Sequence, residues 1–187
     1  MDFYIELQLL PDPEFPATTL MNALFAKLHR GLASSGEGRI GISFPDVTRK
    51  VAGLGSRLRL HGQAADLERL MSANWLQGMR DHLACSPLSA VPTNASHRVV
   101  RRVQAKSSPE RLRRRLIARQ KLDQEAAIKA IPDHAAEMLD LPYLLLNSQS
   151  TSQQFRLFVE HLDLKTKATA GQFSAYGLSA EATVPWF

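Results

Sequence analysis

Between Arg98 and Lys121, ten basic residues (Arg98, Arg101, Arg102, Lys106, Arg111, Arg113, Arg114, Arg115, Arg119 and Lys121) face a single acid, Glu110, an excess of nine positive charges in 24 residues. A cluster this dense repels itself unless a polyanion screens it, so its natural partner is nucleic acid, ahead of an acidic protein or an anionic membrane. The remainder of the chain is balanced. Residues 1–94 carry nine Lys/Arg and nine Asp/Glu, whereas residues 95–187 carry fourteen and nine, so the net charge of +5 is entirely C-terminal. Part of the cluster has helical signals. Ser107-Ser108-Pro109-Glu110 reads as a helix start, with serine to cap free N–H groups, proline in the first turn and an acid at the positive end of the dipole. At 100° per residue Arg111, Arg114, Arg115 and Arg119 then share a face, with Leu112 and Leu116 to one side to anchor the helix. Guanidinium forks match phosphate oxygens in pairs, so such a row suits a nucleic-acid backbone.

The other chemistry-bearing types are sparse. The six histidines (His29, His61, His82, His97, His134 and His161) fall into no metal-ligand spacing, and neither an HExxH nor a paired-carboxylate motif occurs. Cys85 is the only cysteine, which rules out an internal disulfide and thiolate-rich zinc patterns, and it is read as core packing. No metal and no cofactor are expected. His29 follows Phe25 by four residues, at the edge of an apolar stripe in the last turn of its helix. By position alone it reads as a partly buried core histidine. A helix C-terminus and nearby phosphates would both favour its charged form, in which case it would act as a general acid instead of a base.

The elements that must position these residues follow from periodicity. Phe3, Ile5, Leu7 and Leu9 alternate as a strand that ends in Pro11-Asp12-Pro13. A helix from about Pro16 to Ala33 carries Leu20, Met21, Leu24, Phe25, Leu28 and Leu32. Two strands follow, around Ile40–Phe44 and Leu58–Leu60, then a helix from about Ala64 to Met79 and a strand from roughly His82 to Val91. The order βαββαβ predicts a ferredoxin-like domain over residues 1–94, an arrangement shared with RNA-recognition modules. Pro92-Thr93-Asn94 is taken as the linker. Residues 95–187 form the second expected domain: a basic strand at 97–103, the arginine helix, a short helix from Gln124 to Ile131, strands at Leu144–Leu146 and Phe155–Val159, and a final hairpin near Gln172–Tyr176. The fold class is therefore α+β, with the arginine-rich helix in a mixed C-terminal domain. No apolar run approaches the ~20 residues of a membrane span. The opening MDFYIELQLL lacks a basic leader, so a cytoplasmic protein is expected.

Helices do not ordinarily fit the deep, narrow major groove of A-form RNA, so an RNA-reading helix should act near a loop or helix end, which points to a hairpin. Arg102 and Gln104 precede the helix on a strand, where alternation points both side chains the same way, toward base edges.

Arg102-Val103-Gln104-Ala105-Lys106-Ser107 leading into Pro109-Glu110-Arg111-Leu112-Arg113-Arg114-Arg115-Leu116 resembles the type I-F CRISPR repeat endoribonucleases, the Csy-type branch of the Cas six superfamily. Phe25-Ala26-Lys27-Leu28-His29, Leu141-Pro142-Tyr143, Ser148-Gln149-Ser150-Thr151, Phe155-Arg156-Leu157-Phe158, Tyr176-Gly177-Leu178-Ser179 and Val184-Pro185-Trp186-Phe187 resemble that family in the same order. The resemblance implies a metal-free endoribonuclease that grips the CRISPR repeat stem-loop, cuts at the base of the stem, retains the crRNA and joins the other subunits of the type I-F surveillance complex, being a monomer when free. It implies catalytic roles for His29, Ser148 and Tyr176. It implies base reading by Arg102 and Gln104, RNA contacts from Lys106, Ser107, Arg111, Arg114, Arg115, Arg119 and Ser150, and stacking under the terminal base pair by Phe155. Position 118 departs from the pattern: alanine stands where the resemblance implies arginine, which is expected to remove a phosphate contact or to signal a slightly different repeat. A non-catalytic hairpin-binding subunit would explain the basic residues equally well, and only His29 and Ser148 separate the two readings. A DNA-binding regulator fits less well, because the arginine helix lacks a helix-turn-helix partner and dimer signals.

Overall fold

The structure, a computed structural model, describes residues 1–35, 37–47, 53–104, 109–132, 139–148 and 153–187. Alternation in β1 (Phe3–Leu9) buries Ile5, Leu7 and Leu9. In α1 (Ala17–Ser35) the stripe Leu20, Met21, Leu24, Phe25, Leu28 and Leu32 recurs at three- and four-residue spacing and is buried as one face. β2 (Gly41–Ser43), β3 (Arg57–Gly62) and α2 (Ala64–Ser72) follow, then the short strands β4 (Leu83–Cys85) and β5 (Ser89–Ala90). β1 pairs antiparallel with β3, setting Ile5 opposite Leu60 and Leu7 opposite Leu58, and with β4 and β5 on its other side. The sheet runs β2-β3-β1-β4, with β5 also on β1. A second sheet, in the order β7-β8-β6-β9, contains β6 (Ser96–Val103), β7 (Tyr143–Asn147), β8 (Gln154–His161) and β9 (Thr183–Trp186). A continuous apolar cluster draws Leu24, Phe25 and Leu28 from α1, Leu7, Ile42, Leu58 and Leu60 from the first sheet, and Leu144, Leu146, Leu157 and Val184 from the second. α1, which carries His29, is thus packed along its whole apolar stripe.

The chain parts into two compact units, Met1–Arg102 with Pro142–Phe187, and Val103–Leu141. The expected boundary at residue 94 falls inside the first of them. The smaller unit holds α3 (Pro109–Gln120) and α4 (Gln124–Ala130). The Asp123 side chain caps α4 by accepting the Ala126 N–H at 2.7 Å, and Arg113 Nε donates to the Ile131 carbonyl at 2.6 Å, tying α3 to the end of α4. No helix among the described residues is long and apolar enough to cross a membrane.

Several expectations are corrected. α2 stops at Ser72 rather than Met79, because Asn74 (φ 50°) and Gly78 (φ 74°) take left-handed backbone that a helix cannot contain. Trp75 and Leu76 imitate a continuing stripe because they pack against the core from turns. The strand expected over residues 82–91 is split into β4 and β5. Cys85 is exposed on the three-residue strand β4 rather than buried in the core. Residues 172–176 form no hairpin; the last strand is β9, paired with β6. His29 lies six residues before the end of α1 rather than in its last turn. The helix-start serines at 107 and 108 lie outside the described residues.

Candidate active site

His29 projects from α1 with its Nδ1 2.8 Å from the Ala175 carbonyl oxygen. A carbonyl only accepts, so Nδ1 carries the hydrogen, and in the neutral tautomer the lone pair is then on Nε2. Tyr176 lies flat against the imidazole, with ring centroids 4.1 Å apart and planes 9° from parallel, and Phe25 stacks on its ring at 6.3 Å and 6°. Two buttresses therefore fix the imidazole: a backbone carbonyl in its plane and a phenol ring on its face.

The turn that delivers both is specified locally. The Ser174 hydroxyl accepts the Tyr176 N–H at 3.3 Å and donates to the Leu178 carbonyl at 2.9 Å, while the Gly177 N–H reaches the Ser174 carbonyl at 2.8 Å. Gly177 has φ +68°, and a Cβ there would sit 2.7 Å from Ile42 Cγ2, so this position requires glycine. The Gly177 carbonyl accepts the Ile42 N–H at 3.0 Å, securing the turn to β2.

His29 opens onto a cleft of about 300 Å³ that it shares with Arg30, Ser148, Phe155 and Tyr176. Ser148 is the first residue beyond β7, and its N–H donates to the Gln153 carbonyl at 2.8 Å. Phe155, opposite Leu146 in the β7–β8 ladder, is half-buried against the core and still contributes to the cleft wall. The Arg102 guanidinium stands 5.4 Å from the Tyr176 ring centroid and 5.8 Å from that of Phe155. The structure thus brings His29, Ser148, Tyr176, Phe155 and Arg102 together from five separate places in the sequence. Among the described residues no three His, Cys, Asp or Glu side chains gather as a potential metal site. A larger cavity of about 390 Å³ is lined in part by Glu37, Arg39, Asp66 and Arg69, whose charges pair with one another.

The remaining candidates lie elsewhere. β6 ends at Val103, so Gln104, exposed, sits one residue past its ladder. On α3, Arg111, Arg114, Arg115 and Arg119 are all exposed, whereas Leu112 and Leu116 are half-buried. Arg114 pairs with Glu110 at 3.6 Å, and Arg115 and Arg119 have no ionic partner among the described residues. Ala118 is exposed on the same helix. Lys106, Ser107 and Ser150 lie outside the described residues. Two participants were missed by sequence reasoning. The Ala175 carbonyl gives no sequence signal, being backbone. Arg30, a second cation at the cleft, is one residue from His29, and its charge was read only as part of a balanced half.

Residues 4–187 match the family model described as CRISPR-associated protein (Cas_Csy4). The chain is 52% identical over 187 residues to the CRISPR-associated endonuclease Cas6/Csy4 of Pseudomonas aeruginosa (strain UCBPP-PA14), covering 100% of both chains. It is 49% identical to the protein of the same name from Escherichia coli (strain UTI89 / UPEC), again over 100% of both. A solved structure described as an RAMP protein binding different RNA substrates aligns over 98% of this chain and 99% of its own at 12% identity, with a TM-score of 0.37, and nothing about this chain is drawn from it. These matches define a CRISPR-associated protein. Within that class the chain belongs to the Csy4 family, as the motifs in its sequence led us to expect.

Proposed function

We propose that this chain is an endoribonuclease that binds the stem-loop of a CRISPR repeat, cuts the precursor at the base of the stem without a metal ion, and holds the mature crRNA as a subunit of a type I-F surveillance complex. The observation that carries this reading is the hydrogen bond between His29 Nδ1 and the Ala175 carbonyl. With Nδ1–H held by the Ala175 carbonyl, Nε2 is the nitrogen left to take a proton, in a cleft that also contains a serine. The relatives' designation as endonucleases supports it.

The reaction asks little more than this chain supplies. The 2′-hydroxyl upstream of the scissile phosphate attacks phosphorus in line, Nε2 of His29 accepts its proton, and Ser148 holds the nucleophile without titrating. The new O–P bond closes a 2′,3′-cyclic phosphate. The bond to the 5′ oxygen breaks, and that oxygen leaves as a hydroxyl with a proton from water. Arg30 and Arg102 bring positive charge to the phosphate as its charge grows. No redox step or cofactor is involved. Phe155 forms a stacking surface for the terminal base pair, Arg102 and Gln104 read base edges, and Lys106, Ser107, Arg111, Arg114, Arg115, Arg119 and Ser150 contact the RNA. The order and antiparallel pairing of the first sheet's strands support a ferredoxin-like N-terminal domain, with RNA gripped by the C-terminal half. A cytoplasmic protein, monomeric when free, completes the reading.

Incubation of a CRISPR-repeat hairpin in excess EDTA, beside the same RNA with one 2′-deoxy nucleotide upstream of the cut, tests it. Cutting of the first and tight binding without cutting of the second is the expected result. If neither is cut and both are bound, the protein is a structural hairpin-binding subunit.

The arginine face makes a separate prediction. Arg115→Ala should weaken hairpin binding and reduce the dependence of log Kd on log salt by roughly one unit of slope. A titration series from low to high salt that superimposes on wild type would remove Arg115 from the phosphate-contacting set.

A further inference from the structure

His29 and Ser148 lie on different elements, α1 and the end of β7, so the cleft works only if those elements keep a fixed offset. β7 is the outermost strand of its sheet. The Ser148 N–H bonds to Gln153, and the Pro142 carbonyl accepts the Val159 N–H, so the even-numbered residues of β7 direct their backbone groups toward β8. By alternation the Leu145 N–H points away from β8, to the open edge of the sheet. Such an edge group needs a partner from outside the sheet. Asn22 on α1 supplies it: its Oδ1 accepts the Leu145 N–H at 3.0 Å in a partly buried setting.

We propose that Asn22 is a positioning residue for RNA cleavage, locking the register between the helix that carries His29 and the strand that delivers Ser148. Asn22 and His29 are seven residues apart, two turns along one side of the helix. Leu145 and Ser148 are three apart on an extended chain. A single side-chain-to-backbone bond therefore spans the two elements at one end, and the cleft sits at the other. An apolar residue at position 22 would leave the edge amide unsatisfied and let α1 slide along β7. The Nδ1 bond to Ala175 would survive, since it belongs to a different part of the chain.

This inference rests on the proposed function, so its test has one arm that needs cleavage and one that does not. In single-turnover cleavage at saturating protein, Asn22→Ala should slow the reaction on the order of tenfold, as small misplacement of reacting groups does, with hairpin Kd unchanged within about twofold. The shape of the pH–rate profile should be retained. Asn22→Asp, which keeps an acceptor oxygen at the same place, should restore most of the rate. An unchanged rate in Asn22→Ala, or rate and binding falling together without rescue by Asn22→Asp, overturns the proposal. The second arm records NMR signals of the His29 ring and the Ser148 amide in RNA-free protein. Both should shift in Asn22→Ala, and unmoved signals overturn the positioning role whatever the activity. A wild-type protein that binds but never cuts the hairpin would defeat the proposed function instead, leaving the NMR arm to judge Asn22.

Discussion

His29→Ala should lower the cleavage rate about 10³-fold while hairpin affinity stays within about twofold of wild type, within the range that a positioned general base contributes. The separation of the two effects is the content of the prediction. Among the described residues that line the cleft there is no second histidine and no carboxylate. Ser148 does not titrate near neutrality, and Arg30 and Arg102 are permanent cations. The described groups proposed to bind RNA, by contrast, lie on β6, at Gln104 just beyond it, on α3 and on β8, and do not depend on the imidazole. Removing the ring takes one face of support from Tyr176, which still stacks on Phe25. Parallel measurement of Kd and single-turnover rate decides the matter. If both fall together, His29 is a structural residue and the catalytic assignment fails; if neither falls, the base lies elsewhere.

The second large effect concerns stability against acid. His61 on β3 is fully buried, with Nε2 2.8 Å from the Ser43 hydroxyl and no partner for Nδ1 among the described residues. Burial, with the nearby Arg59 cation adding to it, pushes its pKa down to about 3. His161, packed edge-on to Phe44 and Trp186, is held at about 4 by burial and then by Arg98. Both are neutral in the folded chain at pH values where an unfolded chain, with histidine near 6.5, takes up protons. Their contribution is complete above pH 6.5 and is lost as pH falls from there toward 4 and then 3. Between pH 7 and pH 4.5 these two histidines should lower the unfolding free energy by roughly 3–5 kcal/mol. Urea denaturation at the two pH values measures it, and His61→Gln should remove about half of the pH dependence. A wild-type midpoint that does not move would mean that these imidazoles are not buried neutral.

The parts of the fold legible in the sequence were those written by local periodicity. The stripe from Leu20 to Leu32 announced α1, and the alternation from Phe3 to Leu9 announced β1, because each pattern is repeated burial on one face. The arginine row was equally plain, since charge density needs no tertiary context to be noticed. What failed was long-range or conformational. Trp75 and Leu76 prolonged the apparent stripe of α2 although they pack from turns, and only the left-handed Asn74 and Gly78 reveal the stop. β9 was overlooked because Thr183–Trp186 acquires its strand character from pairing with β6, and Pro185 argues locally against it. Cys85 was assigned to the core by residue type, whereas a three-residue edge strand leaves it exposed. At the site, His29, Ser148 and Tyr176 were named through family motifs; composition and spacing alone left His29 as a packing residue. The features that make the arrangement chemical, the Ala175 carbonyl 146 residues away and the stacked phenol of its neighbour, are a backbone atom and a long-range contact, neither of which has a sequence signature.

That separation has a consequence for the order in which the chain acquires its abilities. After His29 is synthesised, 146 more residues must be added before the Ala175 carbonyl exists. At about 5–20 residues per second this takes roughly 7–30 s. The arginine helix emerges well inside that interval. A growing chain therefore passes through a stage in which it carries the arginines proposed to contact phosphate and an unoriented imidazole. On the proposed roles, cleavage is the last capability to appear.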